Sequence, residues 1–124
     1  MQIGELAEAV GLSLRTIRHY DDVGLLPASR TEGGYRHYSE SDLQRMLTIR
    51  TLKPLGYSLE QMREILDAMD ARAADPADEA ARAHLLELAE GLAARRDRMA
   101  TDLERATALV ERLGGDDQGP AGKA

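Results

Sequence analysis

The sequence predicts a mainly α-helical protein: a head of short helices with a small β-hairpin, followed by one long helix. Three observations carry that expectation. Apolar stripes of helical period recur through the first 70 residues, each bounded by a capping or turn residue. Gly33-Gly34, between short extended stretches, marks a hairpin. From about Ala77 to Leu113 the chain holds no proline and one glycine, Gly91, while an apolar residue returns every seven positions.

In chain order, Ile3, Leu6, Ala7 and Val10 stand at i, i+3, i+4 and i+7, a short amphipathic helix that Gly11 can end in a left-handed conformation. Ser13 is placed to cap a second helix, Ser13 to Tyr20, whose Leu14, Ile17 and Tyr20 form a stripe expected to pack inward. Arg15 and Arg18 share a neighbouring face, with Thr16 and His19 beside them. Two guanidinium forks on one exposed face suit guanine edges and phosphates alike. Helix, glycine turn and a second helix with a basic face is the helix-turn-helix pattern. The same pattern also occurs in small domains that never touch DNA.

Asp21 to Gly24 ends the second helix, and the acid pair Asp21-Asp22 reads as solvated rather than catalytic. A two-stranded hairpin is expected, roughly 25–29 paired with 35–38, carrying Arg30 and Arg36 as a wing over a phosphate backbone. Ser39 can cap a third helix with Leu43, Met46, Leu47, Ile49 and Leu52 on its stripe, which Lys53-Pro54-Leu55-Gly56 ends. Arg50 and Lys53, near that end, can face solvent or phosphate. Ser58 with Gln61 has the form of a capping box, opening a fourth helix with Leu59, Met62, Ile65, Leu66 and Met69 inward.

Residues 1–70 are therefore read as the head, 71–78 as a linker around Pro76, 79–113 as a coiled-coil helix and 114–124 as a disordered tail. The run of about 37 residues from Ala77 would span roughly 55 Å as continuous helix. Leu85, Leu92, Met99, Ala106 and Leu113 make the seven-residue repeat, and Leu88, Leu103, Leu109 and Val110 fill the flanking seam. Arg95 and Asp102 interrupt it where a strict heptad wants leucine. A helix this long cannot bury such a seam within a chain of 124 residues, so pairing with a second copy is the economical solution.

The net charge of −6 argues against a nucleic-acid partner, but its distribution does not. Ser13 to Lys53 holds seven Arg or Lys against five acids, and Asp70 to Ala124 eight against twelve. With no cysteine, disulfides and thiolate metal sites are excluded; with three scattered His, no metal site is expected. His84 reads as a lone surface histidine. No nucleophile–base pair or phosphate loop appears, so no enzymatic activity and no cofactor are expected. Glu5 and Glu8 rule out a signal peptide at the start and no long apolar run follows, which points to a cytoplasmic protein with no membrane partner.

Taken together, these pieces resemble the MerR family of bacterial transcription regulators. The resemblance is carried by Ile3-Gly4-Glu5-Leu6-Ala7, Leu14-Arg15-Thr16-Ile17-Arg18-His19-Tyr20-Asp21, Gly24-Leu25-Leu26-Pro27, Gly33-Gly34-Tyr35-Arg36-His37-Tyr38-Ser39 and Leu55-Gly56-Tyr57-Ser58-Leu59. Each is weak alone; their order and spacing are specific. The long helix is similar to the family's antiparallel dimerisation helix, so the resemblance covers all but the tail.

The resemblance implies a winged-helix homodimer on double-stranded promoter DNA with an over-long spacer, which it kinks and untwists for RNA polymerase. By position, Arg15 and Arg18 would face the major groove with Thr16 and Tyr20 helping. Arg30, Tyr35 and Arg36 would touch phosphates, and Lys53 and Tyr57 would form a second backbone contact. His19 stands where the family usually has tyrosine, which puts that contact in doubt. The chain carries neither the cysteines of metal-sensing members nor the large C-terminal domain of drug-sensing ones, so the resemblance assigns it no effector. The competing reading is an architectural, excisionase-like winged-helix protein without effector response, which would share the head but lack the long helix.

Overall fold

In a computed structural model, which describes residues 1–26, 29–30 and 36–114, the first helix, α1 (Ile3–Val10), ends where the sequence lets it. Gly11 takes φ 72°, and its N–H returns to the Ala7 carbonyl at 2.9 Å. A side chain at that φ would be strained, so the turn into α2 (Leu14–Asp22) depends on the missing Cβ. Ser13 caps α2, its Oγ accepting from the Thr16 N–H at 3.1 Å. Such a cap contributes about 1 kcal/mol.

The expected hairpin is present but smaller and shifted. Strands β1 (Ser29–Arg30) and β2 (Arg36–His37) pair antiparallel, Ser29 opposite His37 and Arg30 opposite Arg36. Leu25 and Leu26, expected as strand, are fully buried and irregular instead. Two adjacent leucines buried together cannot follow the in–out alternation of a half-exposed strand. The Gly33-Gly34 turn and Tyr35 lie outside the described residues. Beyond β2, Tyr38 exchanges both main-chain bonds with Met1, at 2.6 and 2.7 Å, which ties the wing to the start of α1.

Helix α3 (Glu40–Leu52) opens with a capping box, Ser39 Oγ accepting from the Asp42 N–H and the Asp42 carboxylate from the Ser39 N–H. A 3₁₀ turn (Lys53–Leu55) and Gly56 at φ 90° close it. The Ser58–Gln61 capping box then starts α4 (Leu59–Ala74). This helix runs through the first half of the expected 71–78 linker and stops at Asp75, before Pro76. The last helix, α5, spans Glu79–Gly114.

The chain divides into two units, Met1–Leu85 and Leu86–Ala124. In the first, Leu6, Val10, Ile17, Leu25, Leu26, Tyr38, Met46, Ile49 and Met62 are fully buried and form the core. Leu14 departs from its expected place and is 41% exposed. Steps of three residues drift by about 60° each on a helix of 3.6 residues per turn, so Leu14 lies well round from Tyr20. Met69 is exposed for the same kind of reason, three residues past Leu66, while Ala68 is buried in its place. In the second unit no described residue is buried.

Three arginines of α3 and α4 donate to main-chain carbonyls at the end of α1 or just past α2. Arg50, itself exposed, donates to the Val10 carbonyl at 2.8 Å, at the end of α1. Arg63 donates to the Val23 and Gly24 carbonyls at 2.6 and 3.2 Å, just past α2. Arg45 reaches the Leu25 carbonyl at 2.5 Å and pairs with Asp70 at 2.8 Å and Asp67 at 3.5 Å. Helix C-termini leave carbonyls without intrahelical partners, and cations favour that end of the helix dipole.

Candidate nucleic-acid interface

The outer face of α2 carries the charge. Arg15, Arg18 and His19 are exposed, with Ile17 and Tyr20 buried beneath them. Thr16 is half-buried, and its hydroxyl lies 2.9 Å from Ser13 Oγ, so it shares in the cap. A short helix held rigidly from below by its core residues and at its end by Arg63 presents two guanidinium forks to anything that approaches.

Two residues that the resemblance puts at this surface are core residues, as the helical stripe already has it for Tyr20. Tyr20 is 6% exposed and Tyr57 8%, so neither ring stands out where a groove or backbone contact is made. In a chain without Phe or Trp, tyrosine supplies the only large aromatic bulk, and the core takes it. The Tyr20 ring centroid sits 5.5 Å from that of His19, so the exposed imidazole rests against the buried phenol. Lys53 is exposed at the head of the 3₁₀ turn. The side chain of Arg30 and all of Tyr35 lie outside the described residues.

Arg36 is described, and it is not free. Its Nη1 pairs with Asp21 Oδ2 at the last turn of α2. The Tyr38 hydroxyl donates to the same oxygen at 3.3 Å. Tyr38 is fully buried; burial, reinforced by the neighbouring Asp21 charge, raises its pKa above the ordinary 10.0. Asp21, read from sequence as a solvated acid, is thus the centre of a three-residue cluster joining wing and helix. The signal that could have found it is the Tyr-Arg-x-Tyr run after the turn, two donors two residues apart on one strand face.

In α5, Leu85, Leu88 and Leu92 are half-buried, while Met99, Leu103, Ala106, Leu109, Val110 and Leu113 are exposed, as is Leu86, which the heptad reading left out. His84 is not the lone histidine expected: its Nε2 lies 3.3 Å from Glu64 Oε2. Among the described residues there is no group of three or more His, Asp or Glu able to hold a metal, and no helix is long and apolar enough to cross a membrane.

Residues 1–69 match the model of the MerR HTH family regulatory proteins, and residues 43–113 that of the MerR DNA-binding family. The chain is 49% identical over 67 residues to the nodulation protein NolA of Bradyrhizobium elkanii, a match covering 53% of this chain and 31% of that one. It thus spans about a third of that relative's length. An uncharacterised HTH-type transcriptional regulator of Pseudomonas aeruginosa is 37% identical over 119 residues, 94% of this chain and 87% of its own. Among solved structures, HiNmlR, a MerR family regulator lacking the sensor domain and bound to promoter DNA, superposes with a TM-score of 0.74 at 28% identity, covering 95% of this chain and 86% of that one. With over half of its length under one family model and a relative matched nearly end to end, the chain belongs to the MerR family of helix-turn-helix regulatory proteins.

Proposed function

We propose that the chain is a dimeric, sequence-specific transcription regulator of bacterial promoter DNA, working in the cytoplasm and acting with RNA polymerase by bending and untwisting the promoter spacer. The observation that carries the reading is the exposed pair Arg15 and Arg18 on α2, whose opposite face is fixed in the core by the buried Ile17 and Tyr20. Arg18 and Arg15 read base edges in the major groove, with Thr16 and His19 at the rim. Arg30, Tyr35 and Arg36 in the wing, with Lys53 at the 3₁₀ turn, hold the backbone and set register. Tyr20 and Tyr57 act from beneath, as packing.

One helix-turn-helix reads only a few base pairs, too few to select a site in a genome, so the reading requires two heads. The seam of Leu85, Leu88, Leu92, Met99, Leu103, Ala106, Val110 and Leu113 would join the second copy, a reading supported by the exposure of its second half, Met99 to Leu113, in a single chain. The promoter-bound state of HiNmlR supports the DNA partner. No catalytic step, metal or cofactor enters the reading.

The test is selection of duplexes from a random pool by the purified chain, followed by transcription from the enriched duplex with purified bacterial RNA polymerase. An inverted repeat of two half-sites is expected, and its occupancy changes transcription. Enrichment of single half-sites, or of no sequence at all, contradicts the reading.

A further inference from the structure

At the end of α2 a single carboxylate oxygen holds two side chains of the wing. Asp21 Oδ2 takes both the Arg36 guanidinium and the Tyr38 hydroxyl. The Asp21 side chain is 6% exposed and that of Arg36 36%, so the acid end of the pair is sealed and the basic end looks out. Arg36 and Asp21 also line an open recess of about 500 Å³ with Arg18, Asp22, Gln2 and Ile3. The recess lies between the base-reading arginine and the wing, and its two guanidinium groups are matched by two carboxylates.

A guanidinium carries five N–H donors, so Arg36 keeps several for a phosphate while one end stays on Asp21. As a pair the two residues bring no net charge to the DNA. A free cation at this place would be drawn to every phosphate of every sequence, which is the part of affinity that carries no information. A held, neutralised one makes its contact only where the backbone passes at the right position.

We infer that Asp21 is a positioning residue for sequence discrimination: it fixes Arg36 between recognition helix and wing and removes its charge from non-specific attraction. The inference rests on the DNA-binding reading above, and the experiment separates the two. The full chain is titrated with two probes, a duplex it has itself selected from a random pool and a scrambled duplex of the same composition, across a series of salt concentrations.

Asp21→Asn keeps the shape and an oxygen for Tyr38 but releases the Arg36 charge. Affinity for the scrambled duplex should rise, its log–log salt dependence should steepen by about 0.9, one phosphate's worth of counterion, and the preference for the selected duplex should fall. In the double variant Asp21→Asn with Arg36→Gln, both charges are gone and the slope should return to that of the unaltered chain. An unchanged or shallower slope for Asp21→Asn overturns the inference. So does a double variant whose slope is shallower than the unaltered chain by one ion, since Arg36 would then be giving its charge to DNA on its own. Failure of both variants to fold, read by circular dichroism, makes Asp21 structural and overturns it equally. A pool that yields no enriched duplex overturns the DNA-binding reading instead.

Discussion

Ile49 in α3 and Leu103 in α5 are both aliphatic residues on helical stripes, yet Ile49 has no exposed surface and Leu103 keeps 68% of its own. The contrast holds along both segments. In the head, apolar residues from four helices and the turn at Leu25-Leu26 close on one another, and the polar ends of those elements are met by arginines from within the same unit. In the second unit the stripe is as regular in sequence, but none of its described residues is buried. Periodicity tells which side of a helix is apolar; only the chain's own topology, or a second chain, tells whether that side is covered.

The largest test of the contrast strikes the uncovered stripe. Leu92 and Met99 sit seven residues apart near the middle of the seam. Glu at both would place unpaired carboxylates in a subunit interface, at a cost of several kcal/mol if they stayed charged. The double variant is expected to sediment as a monomer and to lose its selected inverted repeat, while the head keeps its cooperative unfolding. A double variant that stays dimeric and binds normally would show that the stripe is covered by something else, or by nothing.

Next comes the same truncation made on each side of the comparison. Ile49→Ala should cost about 2–5 kcal/mol, the range for a buried aliphatic that leaves a cavity. That loss should be independent of protein concentration, because the site is closed within one chain. Leu103→Ala should cost less, and its effect on the melting temperature should grow with dilution, because an intersubunit contact is linked to assembly by mass action. Equal, concentration-independent losses in a urea series would erase the distinction between the two segments.

Arg18→Ala asks whether the head's own surface carries the sequence information. The side chain is exposed and helix α2 does not lean on it, so stability should be unchanged. Loss of a bidentate base contact should weaken binding to the selected duplex by about 1–3 kcal/mol per half-site. A variant that keeps full discrimination between selected and scrambled duplexes would move the recognition surface elsewhere.

How much of this was legible beforehand follows from the range of each interaction. Caps and turns were legible: Ser13, Ser39, Ser58, Gly11 and Gly56 act on backbone within a few residues, and the structure places each as the spacing requires. The arginine–carbonyl bonds were not, since Arg45, Arg50 and Arg63 bond to carbonyls 20, 40 and 39–40 residues away. The helical stripe places Tyr20 inward, where it lies, whereas positional resemblance marks both Tyr20 and Tyr57 for the surface without regard to the shortage of aromatic bulk below. Asp21 was misread because its partners sit in and just after β2, fifteen and seventeen positions along.

The smallest expected effect is alkaline, and it belongs to the head alone. The Tyr38 phenol is held protonated in the folded state above its ordinary 10.0, by burial first and then by the Asp21 charge. Below about that pH the phenol is protonated in both the folded and the unfolded chain, and whatever stability the burial brings is intact. As pH rises past the unfolded value the unfolded chain gives up its proton while the folded one does not, so stability falls until the folded value is passed. Tyr38→Phe removes this slope and, at neutral pH, one hydrogen bond to Asp21, a change of about 1 kcal/mol. Urea unfolding of both proteins at neutral pH and above pH 10 checks it: the unaltered chain should lose stability between the two conditions by more than the variant does. Helix α5 carries no tyrosine, so dimer dissociation followed in the same solutions should show no difference between unaltered chain and variant. A shared alkaline slope in Tyr38→Phe would assign the titration to another group and leave the Asp21 cluster without its pH signature.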